Sequence, residues 1–153
     1  MSKRLKPITI LIADDDDDDR LLVKEAWEDS RLANGLRFVE DGIELMDYLY
    51  SRGKYANEGS APRPGLILLD LNMPKKNGFE ALQEIKADPD LRKIPIIVFT
   101  TSKEEEDIFH SYNLGVSGFI TKPVSLEGLS EVLKSLRNYW FEIVELPIAR
   151  EGG

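Results

Sequence analysis

The chain has 153 residues, of which 42% are hydrophobic and 31% are charged, so it has the length and composition of one globular domain. Acidic residues outnumber basic residues by 28 to 20, which argues against a nucleic-acid-binding surface. The absence of cysteine excludes disulfides and thiolate chemistry, and no apolar run is long enough to span a membrane. Because the N-terminus lacks a signal-peptide pattern, the protein is expected in the cytoplasm.

Apolar residues recur along the chain in a pattern that predicts five strands and five helices in strict alternation. The predicted strands cover residues 8–13, 36–40, 66–71, 94–99 and 118–121. The predicted helices cover residues 18–32 and 43–50, residues 79–87, a segment that begins after Ser102, and residues 125–144. A long loop containing Gly, Pro and Ser (residues 51–65) precedes the third strand. This alternation indicates an α/β protein whose parallel sheet is covered by helices on both faces.

Polar side chains occur where four of the predicted strands end. Asp14 and Asp15 follow the first strand, Asp70 lies at the end of the third, and Thr100 and Lys122 follow the fourth and fifth. Functional groups of a parallel sheet gather at the carboxyl ends of its strands, so these side chains are expected to converge. Neighbouring carboxylates raise one another's pKa unless a cation joins them, and Mg²⁺ is a hard cation that prefers oxygen ligands.

This set of side chains predicts transfer of a phosphoryl group onto a carboxylate. Lysine suits a phosphoryl group as a point charge, and threonine suits it as a hydroxyl donor. Asp70 is the candidate nucleophile, because it lies centrally, on the third strand. The aspartates that follow Asp15, at positions 16–19, are expected to form a loop, an N-cap and the solvated start of the first helix.

Four motifs occur together in a characteristic order. They are residues 10–15 (ILIADD), residues 68–74 (LLDLNMP) with Gly78, Thr100, and residues 118–123 (GFITKP). With these motifs the chain resembles, over roughly residues 7–138, the receiver domains of two-component response regulators. The resemblance implies a flavodoxin-like fold, a doubly wound five-stranded parallel sheet of order 2-1-3-4-5 with five helices.

The resemblance also implies a role for each residue of the phosphorylation site. Asp70 looks like the phosphoacceptor, which takes a phosphoryl group from a sensor histidine kinase. Asp15 would bind Mg²⁺ directly, together with Asp70, and Asp14 would bind it largely through water. Asn72 resembles the position that binds the metal through its backbone carbonyl, and its side chain would tune the lifetime of the phosphoryl group.

Further roles follow from the same resemblance on the last two strands. Thr100 looks like the switch hydroxyl that closes on the phosphoryl group, and Lys122 looks like the lysine that neutralises it. Phe119 takes the position of the rotating aromatic side chain. Ser102 is similar to a position that tunes hydrolysis, and the bond before Pro123 is expected to be cis.

A narrower resemblance points to the stand-alone regulators that are paired with bacterial phytochromes. It rests on the long loop 51–65, on residues 69–78, and on an aromatic tail formed by Tyr139, Trp140 and Phe141. It implies a bacteriophytochrome-type histidine kinase as the phosphodonor. The aromatic tail also favours a homodimer through the fourth helix, the fifth strand and the fifth helix.

The expected organisation is a receiver domain over residues 1–144 and a tail over residues 145–153, with no output domain and no membrane or nucleic-acid partner. As a phosphorelay switch, the protein would catalyse only its own phosphorylation and dephosphorylation. Two alternatives remain open from the sequence. One is a phosphatase that forms a transient aspartyl-phosphate, although Asn72 stands where the haloacid-dehalogenase type has a second acid. The other is a degenerate receiver that acts only as an interaction module.

Overall fold

A computed structural model describes residues 9–29, 35–101, 105–122 and 125–140, apart from the side chains of residues 105, 106, 109 and 136–140. Within these residues the chain forms one parallel sheet of order β2-β1-β3-β4-β5 and five α-helices, which confirms the predicted fold. The strands are β1 Thr9–Ala13, β2 Leu36–Val39, β3 Pro64–Leu69, β4 Ile96–Thr100 and β5 Gly118–Thr121. The helices are α1 Asp17–Asp29, α2 Gly42–Leu49, α3 Gly78–Ala87, α4 Glu105–Asn113 and α5 Leu126–Trp140.

Both faces of the sheet are buried, because helices cover each of them. Alternate residues of a strand point to opposite faces, so Leu11 of β1 belongs to one apolar cluster and Ile12 to the other. The first cluster includes side chains of α2 and α3, and the second includes side chains of α1 and α5. This double coverage explains why the strands appear in the sequence as continuous apolar runs.

Local hydrogen bonds fix where the helices begin. Asp41 caps α2 by accepting a hydrogen bond from the backbone N–H of Glu44. Asn77 and Glu80 form a reciprocal capping box at the start of α3. The side chain of Asp16 accepts hydrogen bonds from the backbone of two later aspartates in the run, which confirms the predicted N-cap before α1.

Three strands differ from their predicted bounds, and the second does so by one residue, because it ends at Val39 instead of residue 40. β3 begins at Pro64 and ends at Leu69, so Asp70 follows the strand instead of lying within it. β4 begins at Ile96, two residues later than predicted, after a 3-10 turn (Leu91–Lys93) whose C-cap is Ile94. The strand continues to Thr100. Asp70 therefore lies just beyond the carboxyl end of β3, and Thr100 is the last residue of β4.

The predicted loop 51–65 is more ordered than its composition indicates. It contains a 3-10 turn (Gly53–Tyr55), and its last residues already belong to β3. The hydroxyl of Tyr55 donates to the Glu44 carboxylate at 2.6 Å, and the hydroxyl of Tyr48 donates to the carbonyl of Pro62 at 2.8 Å. Gly and Pro indicated a connection here, but they carried no information about these side-chain contacts with α2.

Several expectations concern residues outside the described part. Ser102, Pro123 and Phe141 are among them, as are residues 30–32 of the first predicted helix and 141–144 of the fifth. Tyr139 and Trp140 belong to α5 by their backbone. None of the described helices combines the length and the apolar character needed to cross a membrane.

Candidate functional site

The carboxyl ends of β1, β3, β4 and β5 meet at one edge of the sheet. Backbone hydrogen bonds hold the residues that leave these strands in register. The N–H of Asp70 donates to the carbonyl of Ala13 at 2.9 Å, and the N–H of Lys122 donates to the carbonyl of Thr100 at 2.8 Å. The polar residues that follow the strands are thus placed side by side, as the sequence predicted.

Three carboxylates lie close together at this edge. Asp14, Asp15 and Asp70 each offer an oxygen, and these three oxygens lie within 4.8 Å of one another. Asp14 and Asp70 are buried, whereas Asp15 is exposed to solvent. Burial raises the pKa of Asp14 to about 6, even though hydrogen bonds from Lys122 and the Asp16 backbone favour its charged form. All-oxygen ligands with one face open to water fit a hard divalent cation such as Mg²⁺.

Lys122 is the cation of the site, and its side chain is only 5% exposed. Its Nζ lies 2.7 Å from Asp14 Oδ2, 2.5 Å from Asp19 Oδ2 and 3.2 Å from Asp70 Oδ2. Burial alone would lower the pKa of Lys122, but the hydrogen bonds to Asp14 and Asp19 outweigh it and raise the pKa. The ammonium group is therefore firmly charged and held among carboxylates.

The two oxygens of Asp70 have different surroundings. Oδ1 accepts a hydrogen bond from the Thr100 hydroxyl at 2.9 Å and another from the backbone N–H of Asn72 at 2.9 Å. Oδ2 faces Lys122. The side-chain amide of Asn72 in turn donates to the hydroxyls of Thr100 at 3.3 Å and Thr101 at 3.4 Å. Asp70 is thus a buried carboxylate with a fixed orientation, surrounded by groups that stabilise negative charge.

The loop between Asp70 and α3 is fitted closely against its neighbours. A Cβ atom at Gly78 would lie less than 3.0 Å from the backbone of Asp70 and Leu71, and one at Gly42 would lie less than 3.0 Å from the backbone of Lys76. Lys75, in the middle of the loop, has a positive φ of 67°. The loop that carries Asn72 therefore has little freedom between α2 and α3.

Phe119 lies on β5. Its backbone pairs with Val98 of β4, and its partly buried side chain packs against the apolar cluster shared with α2 and α3. Its predicted role as a rotating aromatic residue stays a prediction.

Two further residues lie at the site, although the sequence pattern did not indicate them. Asp19 was expected to be a solvated residue of the helix start, but its carboxylate contacts Lys122. Arg20 donates from Nη1 to the backbone carbonyl of Asp14 at 2.7 Å and forms an ion pair with Asp17. Six identical residues in a row give no periodicity, so the sequence offered no signal for which aspartate faces the sheet edge.

Residues 10–134 match the family model of the response regulator receiver domain. The chain belongs to this family. The receiver domain is 43% identical to Response regulator Rcp1 of Synechocystis sp. over 143 residues, which is 94% of this chain and 95% of that protein.

Solved structures agree with this assignment. The receiver domain is similar to the crystal structure of the phosphorylated cyanobacterial phytochrome response regulator RcpA, with 44% identity and a TM-score of 0.78 over 89% of this chain and 95% of that one. It is also similar to the Mn²⁺-bound form of Rcp1, with 42% identity and a TM-score of 0.78 over 90% of this chain and 97% of that one. The receiver domain is thus related to the phytochrome response regulators, and its aspartate cluster fits metal binding.

Proposed function

We propose that the protein is a response regulator that accepts a phosphoryl group on Asp70 from a sensor histidine kinase of the phytochrome type. The observation that carries this proposal is the setting of Asp70. Its carboxylate lies between the Thr100 hydroxyl and the Lys122 ammonium, beside the carboxylates of Asp14 and Asp15. Phosphoryl transfer mainly requires positioning and stabilisation of charge, and these groups supply both.

In the proposed reaction a carboxylate oxygen of Asp70 attacks the phosphorus of a phosphohistidine. The new bond joins that oxygen to phosphorus, the bond from phosphorus to the imidazole nitrogen breaks, and its electron pair stays on the imidazole. Lys122 neutralises charge on the phosphoryl oxygens. Asp15, Asp70 and the carbonyl of Asn72, with Asp14 through water, would hold Mg²⁺, which supplies further positive charge for the same oxygens. Hydrolysis of the acyl phosphate releases inorganic phosphate and restores the carboxylate.

The modified Asp70 would bias a two-state element, as other charge-changing modifications do. The hydroxyl of Thr100 exchanges its bond with Asp70 for one with the phosphoryl group, and Phe119 repacks with it. The face formed by α4, β5 and α5 then changes its affinity for a partner or for a second copy of the chain. The receiver domain would occupy residues 1–144, and it would act in the cytoplasm as a homodimer.

The first test is the intact mass after incubation with acetyl phosphate and Mg²⁺. Wild type is expected to gain one phosphoryl group, about 80 Da, in a Mg²⁺-dependent manner. Asp70→Asn is expected to gain none, and Asp18→Asn, which changes an exposed aspartate of α1, serves as the matched control. A gain that survives Asp70→Asn would contradict the assigned phosphoacceptor.

The same experiment separates the alternatives. A folded wild-type protein that gains no mass would favour a degenerate receiver that only binds partners. Repeated turnover of a phosphorylated substrate, without lasting modification, would favour the aspartyl-phosphate phosphatase. Size-exclusion chromatography of both forms tests the homodimer.

A further inference from the structure

Lys122 has one more carboxylate partner than the proposed phosphorylation chemistry requires. An ammonium group has three N–H donors, and here they face Asp14, Asp19 and Asp70. The distance to Asp19, 2.5 Å, is the shortest of the three. A phosphoryl oxygen that binds Lys122 must therefore take the place of one of these carboxylates.

Burial indicates which carboxylate can leave. The side chains of Asp14 and Asp70 are 2% and 8% exposed, so the loss of their cation would leave an uncompensated charge away from water. The side chain of Asp19 is 24% exposed, so water can replace the ammonium at its carboxylate. Asp70 is moreover the attacking nucleophile, so it has to keep its position while the phosphoryl group arrives. Asp19 is thus the carboxylate whose separation from Lys122 costs the least free energy.

We propose that Asp19 is a positioning residue that holds the Lys122 ammonium in the unphosphorylated protein and competes with the incoming phosphoryl group for it. The inference rests on the proposed phosphorylation of Asp70 and goes beyond it, because it gives one aspartate of the acidic run a defined part in the reaction. Asp19 lies in the first turn of α1, so phosphorylation frees a carboxylate on that turn. The concentration of phosphodonor needed for modification then depends on Asp19.

The neighbouring aspartates provide a matched control. Asp18 is exposed, and its side chain makes no hydrogen bond or ion pair with the residues that the structure describes. Asp17 pairs with Arg20, and Asp16 accepts hydrogen bonds from the helix backbone. Asp18→Asn and Asp19→Asn therefore remove the same charge from the same helical turn, but only the second removes a negative charge that faces Lys122.

The rate of phosphorylation by acetyl phosphate, measured against its concentration with Mg²⁺ constant, tests the competition. In this reaction the Asp70 carboxylate takes the phosphoryl group, the bond to the acetyl oxygen breaks, and acetate leaves. Asp19→Asn is expected to lower the half-saturating concentration about three- to tenfold, with the maximal rate changed less than about twofold. Asp18→Asn is expected to change both by less than about twofold. Asp19→Glu, which keeps the charge, is expected to move the half-saturating concentration back towards wild type.

A second measurement needs no variant. In the wild-type protein, the carboxyl ¹³C resonance of Asp19 is expected to shift on phosphorylation by more than that of Asp18, because Asp19 loses its ammonium partner. Equal half-saturating concentrations for Asp18→Asn and Asp19→Asn, or an unchanged Asp19 resonance in phosphorylated protein, would overturn the inference alone. Failure of wild type to gain a phosphoryl group would overturn the proposed function, and the inference with it.

Discussion

The hydroxyl of Thr100 takes part in two hydrogen bonds, one donated to Asp70 and one accepted from the Asn72 amide. Thr100 and Asp70 are both buried, so water cannot readily replace the bond to Asp70 if the hydroxyl is removed. The orientation of Asp70 therefore depends on Thr100 even without a phosphoryl group. At the scale of single residues, the resting site is a network in which each polar atom fixes the next.

Replacement of Thr100 by valine, which has nearly the same shape but no hydroxyl, tests this network. Thr100→Val is expected to lower the free energy of unfolding by about 1 to 3 kcal/mol, because the buried carboxylate of Asp70 loses its hydroxyl donor. Urea unfolding followed by circular dichroism measures the change. Thr100→Ser keeps the hydroxyl and is expected to retain more of the stability than valine does. Equal losses in the two variants would show that packing of the methyl group, and not the hydroxyl, matters.

At the scale of elements, the loop after Asp70 is fixed by its contacts with two helix starts. Gly42 and Gly78 are the first residues of α2 and α3, and the backbone of the loop passes close to both of them. The hydrogen bond from the Gly78 N–H to the carbonyl of Leu71, at 3.0 Å, closes the loop. The loop between Asp70 and Gly78 therefore has a defined shape and holds Asn72 in place beside the sheet edge.

Gly42→Ala tests the contact between this loop and α2. The added methyl group would overlap the backbone of Lys76, which cannot move aside as a flexible side chain can. We expect a loss of about 2 to 4 kcal/mol in the free energy of unfolding, measured by urea denaturation. Gly35→Ala is the control, since a Cβ atom there would have no neighbour within 4 Å among the residues that the structure describes, and it is expected to change stability by less than about 0.5 kcal/mol. A Gly42→Ala variant as stable as Gly35→Ala would contradict the close fit.

At the scale of the whole molecule, the chain carries a net charge of −8, and part of this charge is concentrated where three carboxylates meet. Lys122 compensates part of this charge, and the remaining repulsion destabilises the folded state when no divalent cation is bound, because like charges repel more strongly away from water. A divalent cation that binds the folded state relieves this repulsion and stabilises the entire fold by mass action.

Thermal unfolding with and without Mg²⁺ tests this effect. At about 100 times the dissociation constant, Mg²⁺ is expected to raise the unfolding midpoint of wild type by about 5 to 10 °C. Asp15→Asn is expected to lose most of this gain, and without Mg²⁺ to unfold at or above the wild-type midpoint, because it removes one repelling charge. Asp18→Asn, at an exposed position outside the cluster, is expected to keep the full gain. An equal gain in all three proteins would contradict a metal site at Asp15.

Most of the fold could be predicted from the sequence, because a buried parallel sheet leaves a strong pattern of apolar runs such as residues 66–69. The convergence of Asp14, Asp70 and Lys122 followed from strand topology alone. The pairing of Asp19 with Lys122 could not be predicted, because it depends on where within six aspartates the helix begins. The hydrogen bond from Tyr55 to Glu44 could not be predicted either, because tertiary packing sets the contacts of a long connection.

The fit of the Asp70 loop between α2 and α3 also has a consequence for evolution. Residues 71–77 connect Asp70 to Gly78, and the loop backbone lies close to both Gly42 and Gly78, so an inserted or deleted residue would separate the loop from at least one helix start. The connection between α2 and β3 is held mainly by side chains, such as those of Tyr48 and Tyr55, and can lengthen between its anchors. Homologous chains should therefore vary in length between α2 and β3 and stay constant in length between Asp70 and Gly78.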